Sequence, residues 1–475
     1  MIYRCIIFTV AVALLSLGSL QAADESRIKR PNIVFMLSDD QGWSGLSVAM
    51  HPDVPGSKED LFHTPSLEKL AAQGMRFSAA YAPAPVCSPT RISLLTGKSP
   101  AALHWTKAAP PEAGRKLTEP RLIKSIAASE TTFAELLHKA GYATAHYGKW
   151  HISGGGPGQH GYDEHDGDTG NENAFQFKDP NPVDIFGMAN RAAAFMEQSS
   201  KAKQPFFIQL SWNALHASEN ANRATIAKYE RLIPGAIPRR VATAAITEDL
   251  DTGVGKVMEA IERLGLSGNT YVIYMSDNGA TGGSRRVLNG GKGGVWEGGI
   301  RVPLIVRGPE VKSNSWCHTR VVGYDFFPTF CHWAGVAANT LPKGIEGGSI
   351  VSLLTNDGRG DVKRLREEVV FHFPHYQSDD GPQSAILLGD LKLMKFYEDN
   401  RVALFDLSKD IGERNDLAER MPNEAARLRV RLEKHLAAVE AQLPTPNPNY
   451  DPSRPVSPER GKVGGKKGGK RKTTP

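Results

Sequence analysis

Two apolar strands that each end in a pair of oxygen-bearing side chains most limit how this chain can fold. Each pair stands one serine beyond its strand: Asp39 and Asp40 beyond residues 31–37, and Asp277 and Asn278 beyond residues 269–275. A strand that is apolar along its whole length is typical of a parallel sheet covered on both faces. In such sheets ligands gather beyond the carboxyl ends of the strands. We therefore expect the two pairs to converge on one site.

The segments between these strands predict further helices and strands in alternation. Residues 64–74, 131–140 and 241–264 have the caps or the apolar faces of helices, and residues 142–146 and 205–212 are typical of strands. This alternation predicts an α/β fold with a large, mostly parallel sheet flanked by helices.

The pattern changes after about Arg364. Residues 385–388, 391–396 and 402–405 are short strands joined by tight turns, and residues 423–442 form a helix of alternating charge. A smaller C-terminal antiparallel sheet with one helix over it is therefore expected. The predicted segments are a signal peptide (1–23), a catalytic domain (24–364), an α+β subdomain (365–445) and a disordered Pro-rich and basic tail (446–475).

The net positive charge of the chain comes from its two ends, because the predicted body between them is nearly neutral. Arg4, the apolar residues 5–20 and the small residues 21–23 are typical of a secretory signal, so an exported protein, periplasmic or secreted, is expected. The formal net charge of +6 falls to about −1 without Arg4 and the six cations of residues 461–475. We expect no nucleic-acid partner and no membrane span, and we expect a disordered tail.

Cys87 stands out among the cysteines. It follows a proline-containing loop, residues 82–86, and precedes a helix-like run, at a type of junction that favours anions. Arg91 can direct its guanidinium at such an anion. Without the signal peptide three cysteines remain; Cys317 and Cys331 can pair, which leaves Cys87 odd. An odd thiol in an oxidising compartment is expected to be reactive, paired between chains or chemically changed, and a plain buried or free thiol is the alternative.

The strand-end pairs offer only oxygen donors, which suits Ca²⁺ before Mg²⁺ and argues against a zinc site. For each aspartate taken alone, a turn or cap residue is the alternative. Five basic side chains are expected around the cation: Arg91, Lys149, His151, His216 and Lys292. A divalent cation with several basic side chains indicates a site for sulfate, phosphate or phosphonate.

From residue 32 to about residue 421, the chain resembles the type I (formylglycine-dependent) sulfatases, an arylsulfatase-like family of the alkaline phosphatase superfamily. The most specific match is Cys87-x-Pro89-x-Arg91 with Leu95-Thr96-Gly97 behind it. Supporting matches lie at residues 38–40, 148–151, 276–279, 296–303, 404–407 and 413–418. The resemblance implies an enzyme that hydrolyses sulfate esters, here expected to be those of sulfated carbohydrates. One departure is that the family often has proline where this chain has Ser218, two residues after His216.

The resemblance also implies a role for each matched residue. Cys87 would be oxidised by a formylglycine-generating or sulfatase-maturating enzyme, and the hydrated aldehyde would be the nucleophile. The implied Ca²⁺ ligands are Asp39, Asp40, Asp277 and Asn278, with the modified Cys87 beside them. The implied catalytic roles are stabilisation of the nucleophile by Arg91, sulfate binding by Lys149 and Lys292, general acid catalysis by His216, and removal of a second proton by His151.

Two other functions and one further site residue complete the expectations. A phosphonate or phosphate ester hydrolase of the same fold is the first alternative, and a non-catalytic binder of sulfated polysaccharide is the second. His375 is predicted to contact substrate, because it follows Pro374 at the end of an aromatic segment, residues 371–376, similar to one in carbohydrate sulfatases. A strand with core aromatics is the alternative for that segment. The His- and Asp-rich loop 160–168 is a second candidate for contact with sugars.

Overall fold

The computed structural model describes residues 30–216, 220–281 and 287–453. The predicted signal peptide, the basic residues 461–475 and the departure at Ser218 therefore lie outside the described residues. Within those three ranges, no helix is both long enough and apolar enough to cross a bilayer.

The order of elements follows the predicted alternation. The strands are β1 (Asn32–Ser38), β2 (Met75–Phe77), β3 (Ala80–Tyr81), β4 (Leu117–Thr118), β5 (Ala143–Gly148), β6 (Glu164–His165), β7 (Phe206–Ser211), β8 (Thr270–Ser276), β9 (Leu304–Arg307), β10 (Ser315–Cys317), β11 (Val321–Val322), β12 (Val369–Phe373), β13 (Gln383–Leu388), β14 (Leu391–Phe396), β15 (Val402–Asp406) and β16 (Thr445–Pro446). The helices are α1 (Pro65–Gln73), α2 (Cys87–Thr96), α3 (Phe133–Lys139), α4 (Asn171–Phe175), α5 (Ile185–Lys201), α6 (Arg223–Leu232), α7 (Pro238–Arg263), α8 (Glu297–Ile300), α9 (Phe326–Trp333), α10 (Val351–Thr355) and α11 (Pro422–Ala438).

Eight strands form the main sheet, in the order β10-β2-β9-β8-β1-β7-β5-β6. Every pairing in it is parallel except those of β9, which runs antiparallel to both of its neighbours. The central pair is in register from Asn32 opposite Thr270 to Ser38 opposite Ser276. The carboxylates that follow these two serines therefore leave the sheet at the same level.

Helices cover both faces of this sheet, as the unbroken apolar strands require. Val34 and Met36 of β1 point into a core shared with α1, α5 and α7. Ile33, Phe35 and Leu37 alternate with them and point into a second core, shared with α2, α3 and α9. The predicted fold class of the main domain is confirmed.

The C-terminal sheet is antiparallel, in the order β12-β13-β14-β15, which confirms the predicted smaller sheet. One face packs under α11 through Ile386, Leu393 and Leu428. The other face packs against the main domain, where Phe371 meets Tyr81 with ring centroids 5.7 Å apart. The expected division of the chain at residue 364 stays a prediction.

A buried ion network joins the two sheets. Lys392 of β14 has its Nζ 2.9 Å from Glu297 Oε1 and 2.7 Å from Glu413 Oε1, and all three side chains are fully buried. Arg301 Nε lies 2.6 Å from Glu297 Oε2. Two carboxylates thus face two cations at the start of α8, directly after the loop that carries Lys292.

The sequence allowed a disulfide between Cys317 and Cys331, but both cysteines are free and buried in the structure. Cys317 lies at the end of β10 and Cys331 within α9. Cys87 is the third free cysteine of the described residues.

Candidate active site

The predicted site residues converge at the carboxyl edge of four adjacent strands, β8, β1, β7 and β5. Asp39 and Asp40 follow β1, Asp277 and Asn278 follow β8, Lys149 follows β5, and His216 lies beyond β7. Cys87 reaches the same place from outside the sheet. The loop before it is extended at Val86, and α2 begins at Cys87 itself, with every residue of the helix buried.

The Cys87 thiol lies among charged groups. Its Sγ is 3.2 Å from Asp39 Oδ1 and 3.5 Å from Lys292 Nζ. Burial, with Asp277 and Asp39 close by, raises the pKa of the Cys87 thiol far above its ordinary value. Because the thiolate is the reactive form of cysteine, the unmodified side chain is a poor nucleophile here.

The strand-end side chains form one acidic cluster. Ligand atoms of Asp39, Asp40, Asp277 and Cys87 all lie within 4.8 Å of one another, and all four residues are buried. Asn278 donates from Nδ2 to Asp40 Oδ1 at 2.8 Å, yet its buried Oδ1 has no hydrogen-bond partner among the described residues. A buried acceptor without a donor beside three carboxylates fits the oxygen ligands of a hard cation.

The charges of the cluster are unevenly compensated. Burial acts to raise the pKa of Asp39, but Lys149 and Arg91 outweigh it and hold that pKa well below its usual range. Burial and the neighbouring Asp39 instead raise the pKa of Asp277 to about 6. A bound cation would relieve this repulsion, so the electrostatics agree with the donor set.

Three cations fix the carboxylates from different elements. Lys149 Nζ is 2.5 Å from Asp39 Oδ2, and Lys292 Nζ is 2.5 Å from Asp40 Oδ1. Arg91 donates from Nη2 to Asp277 Oδ2 at 2.8 Å and from Nη1 to the Lys149 carbonyl at 2.6 Å. The cations therefore surround the position of Cys87, as expected for a site that binds a small anion.

The loop that carries Lys292 needs glycine for its close packing. A Cβ at Gly299 would lie 2.0 Å from the carbonyl oxygen of Gly294, which no side chain can tolerate. Lys292 itself is anchored through its backbone N–H, which donates to the Ala280 carbonyl at 3.0 Å.

Each of the two predicted histidines has a ring nitrogen with no hydrogen-bond partner in the part of the chain that the structure describes. His151 adopts a left-handed backbone with φ of 61°, and its buried Nδ1 has no partner among the described residues. Burial, with Lys149 and Arg91 nearby, lowers the pKa of His151 to about 3. His216 Nδ1 is likewise buried without a partner, its ring stacks on Phe175, and burial lowers its pKa. Burial therefore disfavours the protonated form of both imidazoles in the free protein.

The site opens into a cleft of about 1240 Å³. Asp40, His216 and Lys292 of the site line this cleft. Arg239, on the first turn of α7, and Gln377, from the C-terminal segment, line it as well. Neither was expected from the sequence, since nothing in an isolated arginine or glutamine indicates which cleft it will face.

His375 does not lie where the sequence analysis expected it. Its side chain is fully buried, with Nδ1 2.6 Å from Glu119 Oε2 and Nε2 2.7 Å from Thr106 Oγ1. Lys107 completes this group by donating to Glu119 at 3.1 Å. Because both ring nitrogens are engaged, the predicted direct contact with substrate is wrong. The segment reaches the cleft two residues later, through the exposed Gln377.

The candidate loop 160–168 has a structural role in part. His160 is buried and stacks on Trp150, and Tyr162 donates to Gln209 at 2.7 Å. Asp166 accepts from the Gly148 N–H at 2.7 Å, directly before Lys149. These contacts hold the strand end that carries Lys149 and His151.

Comparison with known proteins agrees with this geometry. The family model described as Sulfatase matches residues 31–336. The chain belongs to the sulfatase family. A second model, described as N-sulphoglucosamine sulphohydrolase, C-terminal, matches residues 291–442 of this sulfatase-family chain. The resemblance stated from the motifs is confirmed.

Two individual relatives and one solved structure show how similar the chain is to known sulfatases and to their fold. N-acetylgalactosamine-6-sulfatase of Mus musculus is 32% identical over 346 residues, which cover 64% of this chain and 63% of that protein. The alignment thus spans less than two thirds of that relative. Arylsulfatase A of Bos taurus is 26% identical, with 91% of this chain and 92% of that protein covered. The crystal structure of Ps i-CgsB in complex with k-i-k-neocarrahexaose has a TM-score of 0.70 at 23% identity, covering 86% of this chain and 93% of that one, and so shares the fold.

Proposed function

We propose that this protein hydrolyses sulfate esters of carbohydrates with a formylglycine made from Cys87 and a bound Ca²⁺. One observation carries the proposal: a cysteine at the start of a buried helix lies 3.2 Å from Asp39 and 3.5 Å from Lys292, inside a ring of cations. A buried thiol is a poor nucleophile at this position, whereas the surrounding cations favour the binding of a small anion. A relative named for a sulfated sugar, and a structural neighbour solved with neocarrahexaose, support a carbohydrate substrate.

The residues around position 87 fit both a Ca²⁺ ion and a formylglycine. Asp39, Asp40, Asp277 and Asn278 would hold Ca²⁺ beside position 87, and the cation would supply a Lewis acid for the sulfate oxygens. A formylglycine at position 87 would supply, as its hydrate, an oxygen nucleophile in place of the thiol. The Oδ1 of Asn278, which has no partner among the described residues, supports this assignment of a cation.

The chain's own cations bind and orient the sulfate. Lys292 Nζ stands between Asp40 and Cys87 Sγ, so it can donate to a sulfate oxygen placed over position 87. Lys149 approaches from the other side of Asp39. Arg91, held by Asp277 and by the Lys149 carbonyl, adds positive charge at position 87 itself. Fixed cations of this kind stabilise charge without reorganisation during the reaction.

His216 and His151 are the residues that would transfer protons in the reaction. His216 borders the cleft into which the leaving alcohol departs, and an anionic sulfate bound beside it would favour its protonated form. It can then hold a proton for the leaving oxygen. His151, kept neutral by burial and by Lys149, can accept a proton from the group at position 87. Export and modification by a formylglycine-generating or sulfatase-maturating enzyme form part of this proposal.

The test uses protein purified from its native host. We expect turnover of an aryl sulfate, far slower turnover of the matched aryl phosphonate and aryl phosphate, and a peptide mass at residue 87 that shows formylglycine. Cys87→Ala should abolish turnover, whereas Cys317→Ala, the matched change of another buried thiol, should retain it. Preference for the phosphonate would favour the alternative hydrolase, and binding without turnover of any ester would favour the non-catalytic binder.

A further inference from the structure

The cleft contains a cation that the proposed chemistry does not use. Arg239 and Arg240 both line it from the first turn of α7. Arg240 faces Glu59, with its Nη2 3.4 Å from Oε2. Arg239 is exposed and has no carboxylate partner within the described ranges; the one hydrogen bond that its side chain makes there runs from Nη2 to the Thr281 carbonyl at 3.3 Å. Most of its guanidinium donors therefore face solvent.

Thr281 connects this guanidinium to the reaction centre. Its Oγ1 donates to Asp40 Oδ2 at 2.8 Å, while its carbonyl accepts from Arg239. Asp40 belongs to the acidic cluster and lines the same cleft as His216 and Lys292. A single residue thus separates Arg239 from the centre where a sulfate would bind. A substituent on the same sugar, or on the next sugar, lies within reach.

Arginine in such a position selects for anions. Its planar fork matches the oxygens of a sulfate or a carboxylate, and it stays charged at any physiological pH. Lys58, which also lines the cleft, is already matched by Asp60 at 2.5 Å. Glu230 also lines the cleft, from α6, but no hydrogen bond or ion pair among the described residues joins it to Arg239. Glu230 therefore does not pair with the guanidinium of Arg239.

We infer that Arg239 binds a second anionic group of the substrate, so that the preferred substrate is a saccharide with another sulfate or a carboxylate near the sulfate that is removed. The inference rests on the proposed sulfatase function and narrows its substrate class. A hydrogen-bonded charge contact of this kind corresponds to about a tenfold effect or more.

The kinetic test compares wild type, Arg239→Gln and Arg240→Gln. The substrates are one monosulfated sugar, the same sugar with a second sulfate, and the same sugar with a carboxylate. Wild type should prefer the two dianionic sugars in kcat/KM, and Arg239→Gln should reduce that preference about tenfold. Arg240→Gln, whose charge Glu59 already matches, should change it less than about threefold. A preference that survives Arg239→Gln, or falls equally in both variants, overturns the inference; loss for only one dianionic sugar identifies the anion.

A binding measurement separates this inference from the proposed function. Calorimetry on the Cys87→Ser variant, with and without Arg239→Gln, reports the affinity for the disulfated and monosulfated sugars without turnover. We expect the second sulfate to tighten binding only when Arg239 is present, and less so at high salt. If wild type hydrolyses no sulfate ester, the proposed function fails while this comparison still decides the role of Arg239. Equal affinities for the two sugars in the presence of Arg239 would overturn that role.

Discussion

Replacing Lys392 with methionine should sharply destabilise the fold while leaving the length of the side chain nearly unchanged. Lys392 Nζ lies between Glu297 and Glu413, both fully buried, at 2.9 and 2.7 Å. Without it, two carboxylates face Arg301 alone. Removing one partner of a buried ion pair costs about 3–5 kcal/mol, a large part of the roughly 5–15 kcal/mol that stabilises a typical domain.

The structure also limits this loss, since Glu413 can take up a proton. Burial, with Glu297 nearby, already raises the pKa of Glu413 to about 7. Loss of Lys392 raises it further, so the folded variant holds a proton that the unfolded chain releases. A raised pKa of this kind makes stability fall as the pH rises. The gap between wild type and variant should therefore widen as the pH increases through about 7, where wild-type Glu413 ionises.

Urea unfolding followed by tryptophan fluorescence measures both effects. Lys395→Met on the same strand is the control, because Lys395 pairs at 2.8 Å with Glu433, whose side chain is 44% exposed. Such a pair is worth at most about 1 kcal/mol. If Lys392→Met costs no more than this control, or if the gap shrinks at high pH, the reasoning about the buried network is refuted.

Three further predictions concern the metal, the buried histidine and the tail. Asn278→Ala removes the unpartnered oxygen, so calorimetry on chelator-stripped protein should show weaker Ca²⁺ binding, and undiminished affinity would exclude it as a ligand. His375→Ala leaves the buried Glu119 short of a donor, so unfolding experiments should show a loss of about 1–3 kcal/mol, with no change in relative kcat/KM between a sulfated sugar and a small aryl sulfate; a selective loss on the sugar would restore the contact with substrate. Deleting residues 461–475 should leave aryl sulfate turnover intact and weaken retention on a sulfated polysaccharide at low salt, and unchanged retention would show that the tail is not adhesive.

The convergence of the acidic side chains could be predicted because they follow the ends of parallel strands. Apolar runs predict β1 and β8 as buried strands of a parallel sheet, and the register seen in the structure then places Asp39 and Asp277 at one level. Cys87 and Lys149 were found through motifs that follow one another along the chain in the same order as in the sulfatase family. In each case the information is local, and the sheet topology supplies the convergence.

The errors and omissions involve contacts between distant parts of the chain. His375 was expected at a surface because Pro374 ends a strand, but Glu119, more than 250 positions earlier, takes it into the interior. Lys392 sits in a strand whose alternation gives no sign that a lysine is fully buried there. The place of Arg239 depends on how the first turn of α7 lies beside Thr281. Burial and pairing across such separations are properties of the packed molecule.

The complete burial of α2 has a consequence for when the protein can become active. Cys87 has only 2% of its surface exposed, and the remaining residues of α2 are also buried. Under the proposed function, an enzyme that oxidises Cys87 must reach a thiol that the packed fold encloses. Modification would then have to precede packing, during synthesis or transport. A chain that folded first would have to unfold before its Cys87 could be modified.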